Sequence, residues 1–453
     1  MTTYQPALRD DAVPRYQALA DAIERDIVAG RLGAGQRLPP QRDLAFRLGV
    51  TVGTVGRAYA IALRRGLLSA HVGRGTFVAE PAERDGDGPV DLARNAPPPG
   101  LAASVLAESL RTLAEAPELA ELMDYMPEGG HPAHRAAGAR WIARSGLQVT
   151  GDQVIATGGV QQALALVLAS GLAGDRPILL ENLTYFGLIE AAGQLRQSCE
   201  AVAIDAEGVL PDALDAAARR TGAKLAMLVP TVHNPTTAIM SAGRRAEIAE
   251  VARRHDLILV EDDAYGFLPT KRPAPLATHA PERTIYLAGF AKCLTPGLRV
   301  GWLSAPPDLL RRLADTQRAL TIAHSAIPQR LAADWIDNGG ADRLLTWQRA
   351  EADARQAMAR ETLSGLSWRT TPGAWHGLLS LPTPWRADGF AAEARARGIV
   401  VMPARQFAVR HAAAPEAVRL ALGNPPTRQR LAIALDAIAD LARRVPAQGG
   451  AII

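Results

Sequence analysis

From Glu80 to Pro89 the chain reads as proline, glycine and alternating charge, with no apolar periodicity. A stretch of that kind has no face to bury, so it marks a boundary between folding units. It divides the 453 residues into a short unit at 1–80, a linker at 81–89 and a long unit at 90–453. The total length also calls for more than one domain.

The two units differ in charge. Eleven arginines of residues 1–80 stand against seven carboxylates, so this segment carries the whole formal excess of +4 and the remainder is balanced. A small basic module on a neutral body points to a polyanion partner, most simply double-stranded DNA. Charge alone leaves open a solvated, arginine-rich helical module. Two cysteines, Cys199 and Cys293, are too few for a disulfide framework and fit a reducing, cytoplasmic setting. Met1 to Asp11 lacks the apolar run of a signal peptide, and Ala163 to Ala173 is too short to span a bilayer.

Within the short unit, Leu19, Ile23 and Ile27 recur at helical spacing over Arg15 to Ala29, and Gly30 supplies a stop. Pro39-Pro40 opens a second helix, Gln41 to Leu48, closed by Gly49. Thr51 is placed to cap a third, whose core face is Val55, Ala58/Tyr59 and Ala62/Leu63. Leu67 to Ala70 and Thr76 to Val78 read as a hairpin around His71-Val72-Gly73-Arg74-Gly75. Three helices and a glycine-rich hairpin make a winged helix-turn-helix layout.

The text Ala29-Gly30-Arg31-Leu32, Gly35-Gln36-Arg37-Leu38-Pro39, Arg42-Asp43-Leu44-Ala45, Leu48-Gly49-Val50-Thr51 and Gly73-Arg74-Gly75-Thr76-Phe77-Val78 resembles the winged-helix domain of GntR regulators, nearly end to end. The resemblance implies that the third helix enters the major groove by its first turn while the wing follows the backbone. Arg42, Arg57 and Arg74 are then the expected DNA contacts, with Thr51 and Thr54 offering hydroxyls. Many relatives place Arg just after the position of Thr51, where this chain has Val52-Gly53. Fewer base contacts are expected from this helix, with more reliance on Arg57, Arg47 and the wing.

The long unit alternates strand-like runs with Ala-rich helices. The runs include Pro177–Leu180, Leu225–Val229, Leu257–Val260, Thr284–Ala288 and Arg299–Ser304. This alternation predicts an α/β domain with a mostly parallel central sheet. The chain has only three lysines, and one of them, Lys292, stands in Gly289-Phe290-Ala291-Lys292-Cys293. Arginine cannot form a Schiff base, so a lysine kept in an arginine-rich chain is notable. Thr157-Gly158-Gly159-Val160-Gln161 follows a strand and opens a helix, which suits a phosphate but reads equally as a tight turn. Tyr185 follows a strand, where core packing is the commoner role of a lone tyrosine. Asn234 in His233-Asn234-Pro235 and Asp262 in Glu261-Asp262-Asp263-Ala264-Tyr265 lie at strand ends, which face the usual ligand crevice of an α/β sheet.

Taken in order, these motifs resemble fold-type I aminotransferases dependent on pyridoxal 5'-phosphate, over most of residues 90–440. The resemblance implies large and small subdomains and a role for each residue. Gly159, Val160, Gln161 and Arg299 hold the phosphate. Tyr185 stacks on the pyridine ring, and Asn234 and Tyr265 hold its phenolic oxygen. Asp262 keeps the ring nitrogen protonated, which preserves the electron sink. The pattern Asp-x-x-Tyr selects Asp262 and leaves Asp263 as a solvated or capping acid, with a slip of one residue left open. Lys292 forms the internal aldimine and is the catalytic group. Arg419 forks the carboxylate of an amino-acid substrate or effector. Tyr125 reaches the phosphate of a partner subunit, which implies a homodimer. Gly289 and Ala291 stand where many relatives have hydroxyl side chains, so weaker phosphate binding is expected. Cys293 reads as a packing residue.

A GntR-type head on such a body resembles the MocR/GabR group of transcriptional regulators. The implied function is DNA binding controlled by pyridoxal phosphate, an amine or an amino acid acting at Lys292. The alternative is a working aminotransferase with a vestigial head.

Overall fold

The apolar face of the first unit closes on itself in the computed structural model, which describes residues 4–8, 13–28, 31–33, 35–65, 67–71, 75–78, 88–322, 324–410 and 412–444. Helices Arg15–Val28, Gln41–Leu48 and Val52–Arg64 pack with an antiparallel hairpin of Leu68–His71 and Gly75–Val78. Leu19, Ile23, Leu44, Val55, Tyr59, Leu68 and Val78 are all buried at its centre. Gly49 ends the second helix in the left-handed conformation (φ 62°) that only glycine adopts at little cost. Thr51 caps the third, accepting from the Thr54 amide at 3.1 Å. The Tyr59 hydroxyl donates to the Pro39 carbonyl at 2.8 Å and so ties the third helix to the turn before the second. Leu63 was expected on the core face, but it is 37% exposed. The core face ends at Ala62, one position earlier. The expected wing tip with Arg74, most of the linker and the tail from Pro446 lie outside the described residues.

The chain enters the body through strand Val90–Asp91, which pairs in parallel with Ile399–Val400. The central sheet has seven strands. Their spatial order is Val154–Thr157, Gly301–Ser304, Thr284–Gly289, Ile258–Asp262, Leu225–Leu228, Ile178–Glu181 and Cys199–Val202. The last five run parallel to one another, whereas Gly301–Ser304 is antiparallel to both neighbours. Most of these strands are buried along their whole length, because helices cover both faces. A second, antiparallel sheet of four strands, Ser367–Arg369, His376–Ser380, Ala417–Ala421 and Met402–Pro403, packs with helices Ala387–Ala396 and Arg428–Arg443 as the small subdomain. Helix Gly340–Thr362 reaches from it toward the head, where Arg343 lies 3.8 Å from Glu24. Among the described residues no helix is long and apolar enough to cross a membrane.

Candidate cofactor cavity and DNA-binding face

The carboxyl ends of the parallel strands point their loops to one side, and the expected chemistry collects there. A cavity of about 230 Å³ is lined by Val160, Gln161, Tyr185, Asn234, Asp262, Tyr265, Lys292 and Arg299. Four open surface grooves are larger, from about 350 to about 820 Å³, but none is lined by any of these residues. Converging polar groups, not volume, mark the site.

Helix Val160–Ala169 starts at Gly159, whose φ of 103° excludes ordinary side chains. A Cβ added there would lie 3.0 Å from the Arg299 guanidinium. Glycine therefore lets the arginine lie against the helix N-terminus, where free N–H groups and a cation face the same space. Arg299 itself has a φ of 52°, a conformation that L-residues adopt at some cost. Gly289, the position without the hydroxyl of many relatives, is fixed by packing. A Cβ there would meet the Val300 carbonyl at 3.0 Å and Val160 at 3.2 Å.

Lys292 is half-buried. Its Nζ donates to the Asn95 carbonyl at 2.6 Å and lies 5.8 Å from the centre of the Tyr265 ring. Burial, with the Arg419 charge, lowers its pKa to about 8, against the pull of Asp262. Its backbone carbonyl accepts from Trp375 Nε1 at 2.9 Å. Asp262 is buried and accepts from the Ala264 amide at 3.0 Å, and burial raises its pKa to about 6. At neutral pH the carboxylate form still prevails.

Asp263 is not the solvated or capping acid expected. It is fully buried and turned away from the cavity, accepting from Arg272 at 2.5 Å and from the Tyr286 hydroxyl. Successive residues of a strand point to opposite faces, so one of two adjacent acids must face the sheet's other side. Of the two, Asp262 alone lines the cavity.

Arg419, on strand Ala417–Ala421, is fully buried. It donates to Asn234 Oδ1 at 3.2 Å and to the Ala93 carbonyl, and its Nε has no hydrogen-bond partner among the described residues. Burial lowers its pKa to about 10, so it stays a cation. Tyr125 does not join the cavity. It is 78% exposed and lies just beyond the short helix Pro117–Met123.

Three cavity partners carry no sequence motif: Asn95, Trp375 and His376. Asn95 Nδ2 lies 2.9 Å from both the Tyr265 hydroxyl and His376 Nδ1. Cys293 is buried with its thiol against the Gly289 carbonyl, which suits the packing role expected.

On the head, Arg42 and Arg57 are exposed, and the Arg57 guanidinium lies 6.0 Å from the Tyr16 ring centre. Thr51 is committed to its own helix, sharing a hydrogen bond of 2.9 Å with the Thr54 hydroxyl in addition to the cap. Arg74 lies outside the described residues.

The donor set fits pyridoxal phosphate. A glycine cradle with a cation awaits an anion, a carboxylate stands beside an aromatic-lined cavity, and the one lysine there is poised to lose its proton. Fold and site together define a fold-type I aminotransferase body under a winged-helix head. Residues 88–438 match the aminotransferase class I and II family, and residues 15–78 match the bacterial regulatory proteins of the gntR family. The chain is 29% identical over 438 residues to YdeF of Bacillus subtilis, an uncharacterized HTH-type transcriptional regulator, covering 95% of this chain and 94% of that one. It is 30% identical over 388 residues to the HTH-type pyridoxine biosynthesis transcriptional regulator PdxR of Corynebacterium glutamicum, covering 81% of this chain and 83% of that one. The structure of LysN, the alpha-aminoadipate aminotransferase of Thermus thermophilus, superposes with a TM-score of 0.70 at 27% identity, over 79% of this chain and 92% of that one. The chain belongs to the aminotransferase class I and II family and, through its gntR-type head, to the MocR-type transcriptional regulators within it. Its cofactor is pyridoxal 5'-phosphate.

Proposed function

We propose that this regulator senses a primary amine that bears a carboxylate, at a pyridoxal phosphate site built around Lys292. The observation that carries the reading is the pairing, in one chain, of the Lys292 cavity with a head that matches the gntR family. Bound there, the cofactor supplies an aldehyde that can exchange one amine for another. The protein's part is to bind and orient. Gly159, the N–H groups of Val160 and Gln161, and Arg299 would take the phosphate. Tyr185 would lie on the ring, Asp262 by its nitrogen, and Asn234 and Tyr265 by its phenolic oxygen. Lys292 would give up its proton readily because burial lowers its pKa. Arg419 would receive the effector's carboxylate.

Such a ligand controls DNA binding only if it favours one arrangement of the heads over another. Each chain has one head, so this reading takes a homodimer; the exposed Tyr125 supports one, since it stands outside its own cavity and is placed to complete a neighbour's. The head would engage DNA through Arg42, Arg57 and Arg74, with Thr51 and Thr54 at the start of the third helix.

The test is a titration of the purified protein onto the DNA upstream of its own gene, over a series of salt concentrations, with and without pyridoxal phosphate and an amino-acid mixture. Binding should exceed that to random DNA and change with cofactor or amine. Binding no better than to random DNA, alongside multiple-turnover transamination, would establish an enzyme with a relic head instead.

A further inference from the structure

Behind Lys292 the buried polar groups form a chain of hydrogen bonds whose direction follows from its far end. That end is the His233 backbone carbonyl, which can only accept. His376 Nε2 lies 3.2 Å from it. His376 is fully buried on strand His376–Ser380. Burial and the nearby Arg419 charge lower its pKa to about 3, so the ring is neutral and carries one proton. The carbonyl requires that proton on Nε2, and Nδ1 is left bare.

Nδ1 then needs a donor, and Asn95 Nδ2 supplies it at 2.9 Å. The same Nδ2 donates to the Tyr265 hydroxyl oxygen at 2.9 Å. Turning the Asn95 amide over would set Oδ1 against Nδ1. The imidazole proton would have to move there, and a bare Nε2 would face the His233 carbonyl. Tyr265 therefore accepts from Asn95, and its own proton is free to point into the cavity that it lines. Asn95 also holds Lys292 Nζ through its backbone carbonyl at 2.6 Å.

We propose that Asn95 and His376 are positioning residues that lock the Tyr265 hydroxyl as a hydrogen-bond donor toward the cavity, with the His233 carbonyl setting the direction. The inference rests on the reading that pyridoxal phosphate places an electron-rich oxygen beside Tyr265. A tyrosine free to turn its proton toward Asn95 would present a lone pair to that oxygen. The titratable and charged groups around His376 are Arg419, His233 and Lys292, with the Tyr265 ring 5.5 Å away.

Two measurements test it. In cofactor-free, full-length protein with ¹⁵N-labelled histidines, the His376 ring, assigned by the loss of its signals in His376→Phe, should be neutral with its proton on Nε2 at neutral pH. A proton on Nδ1, or a charged ring, overturns the proposal and does so without reference to the cofactor. In cofactor-loaded protein the absorbance of the bound chromophore is titrated against pH. His376→Phe removes both ring partners and frees Asn95 to turn its oxygen to Tyr265. The chromophore's pKa should rise by about one pH unit. His376→Gln, which offers one donor and one acceptor, should recover at least half of that shift. An unchanged pKa in folded His376→Phe, or an equal shift in His376→Gln, overturns the proposal. Should His376→Phe fail to fold, His376→Gln assigns the ring and the wild-type measurement still decides. Absence of any chromophore in wild-type protein would reject the cofactor reading alone.

Discussion

The cavity and the DNA-facing side of the head are built by different means. In the cavity, polar groups meet across long stretches of chain. Asn95 and His376 are 281 residues apart, and Asn234 and Arg419 are 185 apart. In the head, Thr51 and Thr54 are bound to each other three residues apart, and the basic side chains Arg42 and Arg57 stand in solvent. The cavity's geometry is thus a product of tertiary packing. The head offers a capped helix with exposed cations at its surface. A sensing site needs preorganisation, since only differential affinity moves an equilibrium. A surface that first meets DNA through phosphate charge needs it less.

The largest expected effect separates the two regions outright. Lys292→Ala should abolish the lysine-linked cofactor absorbance while leaving salt-dependent binding to random DNA unchanged. A surviving band would reject the cofactor assignment, and lost binding to random DNA would show that the two regions are not separable. In wild-type protein the rate at which added pyridoxal phosphate is captured should climb with pH and level off near about 8, because the neutral amine is the nucleophile and burial lowers the Lys292 pKa to that value. A plateau only in the usual lysine range would mean that the amine is solvated. Arg419→Ala should come next. It should weaken the response to amines bearing a carboxylate by roughly 10- to 100-fold, the worth of a hydrogen-bonded charge pair. Amines without the carboxylate serve as the control, since the mutation also strips Asn234 and Ala93 of a donor. Equal losses for both kinds of amine would assign Arg419 a structural part only.

The same contrast explains what the sequence reveals. Gly159, Tyr265 and Lys292 each come shortly after a strand, Asp262 ends one and Arg299 precedes one, so their place at strand ends could be anticipated from the chain alone. Gly49 and Thr51 are readable because caps are local. Asn95 and His376 have no such spacing, and only the packing of the small subdomain brings them together. Asp263 was misplaced because two adjacent acids look alike until the strand assigns each to a face. The reversed strand Gly301–Ser304 was invisible for a related reason, since a fully buried run looks the same in either direction. Gly289 read as a missing hydroxyl, and the structure adds that a Cβ there would press against the Val300 carbonyl at 3.0 Å.

The smallest expected effect tests the local half of the comparison. Thr51→Ala removes the cap of helix Val52–Arg64, and with it the acceptor for the Thr54 amide. An N-cap of this kind is worth about 1 kcal/mol, so the head's thermal transition should fall by a few degrees. The cavity's cofactor absorbance should not move, because no bond described for the cavity passes through the head's third helix. Affinity for the operator should drop no more than about fivefold, the cost of holding the helix start in place without its cap. Thr51 already spends its hydroxyl within the helix, at 3.1 Å from the Thr54 amide and 2.9 Å from the Thr54 hydroxyl. A loss of 100-fold or more with an unchanged head transition would mean that the hydroxyl leaves its cap to contact DNA. The head would then be reorganised by its partner more deeply than exposed arginines alone require.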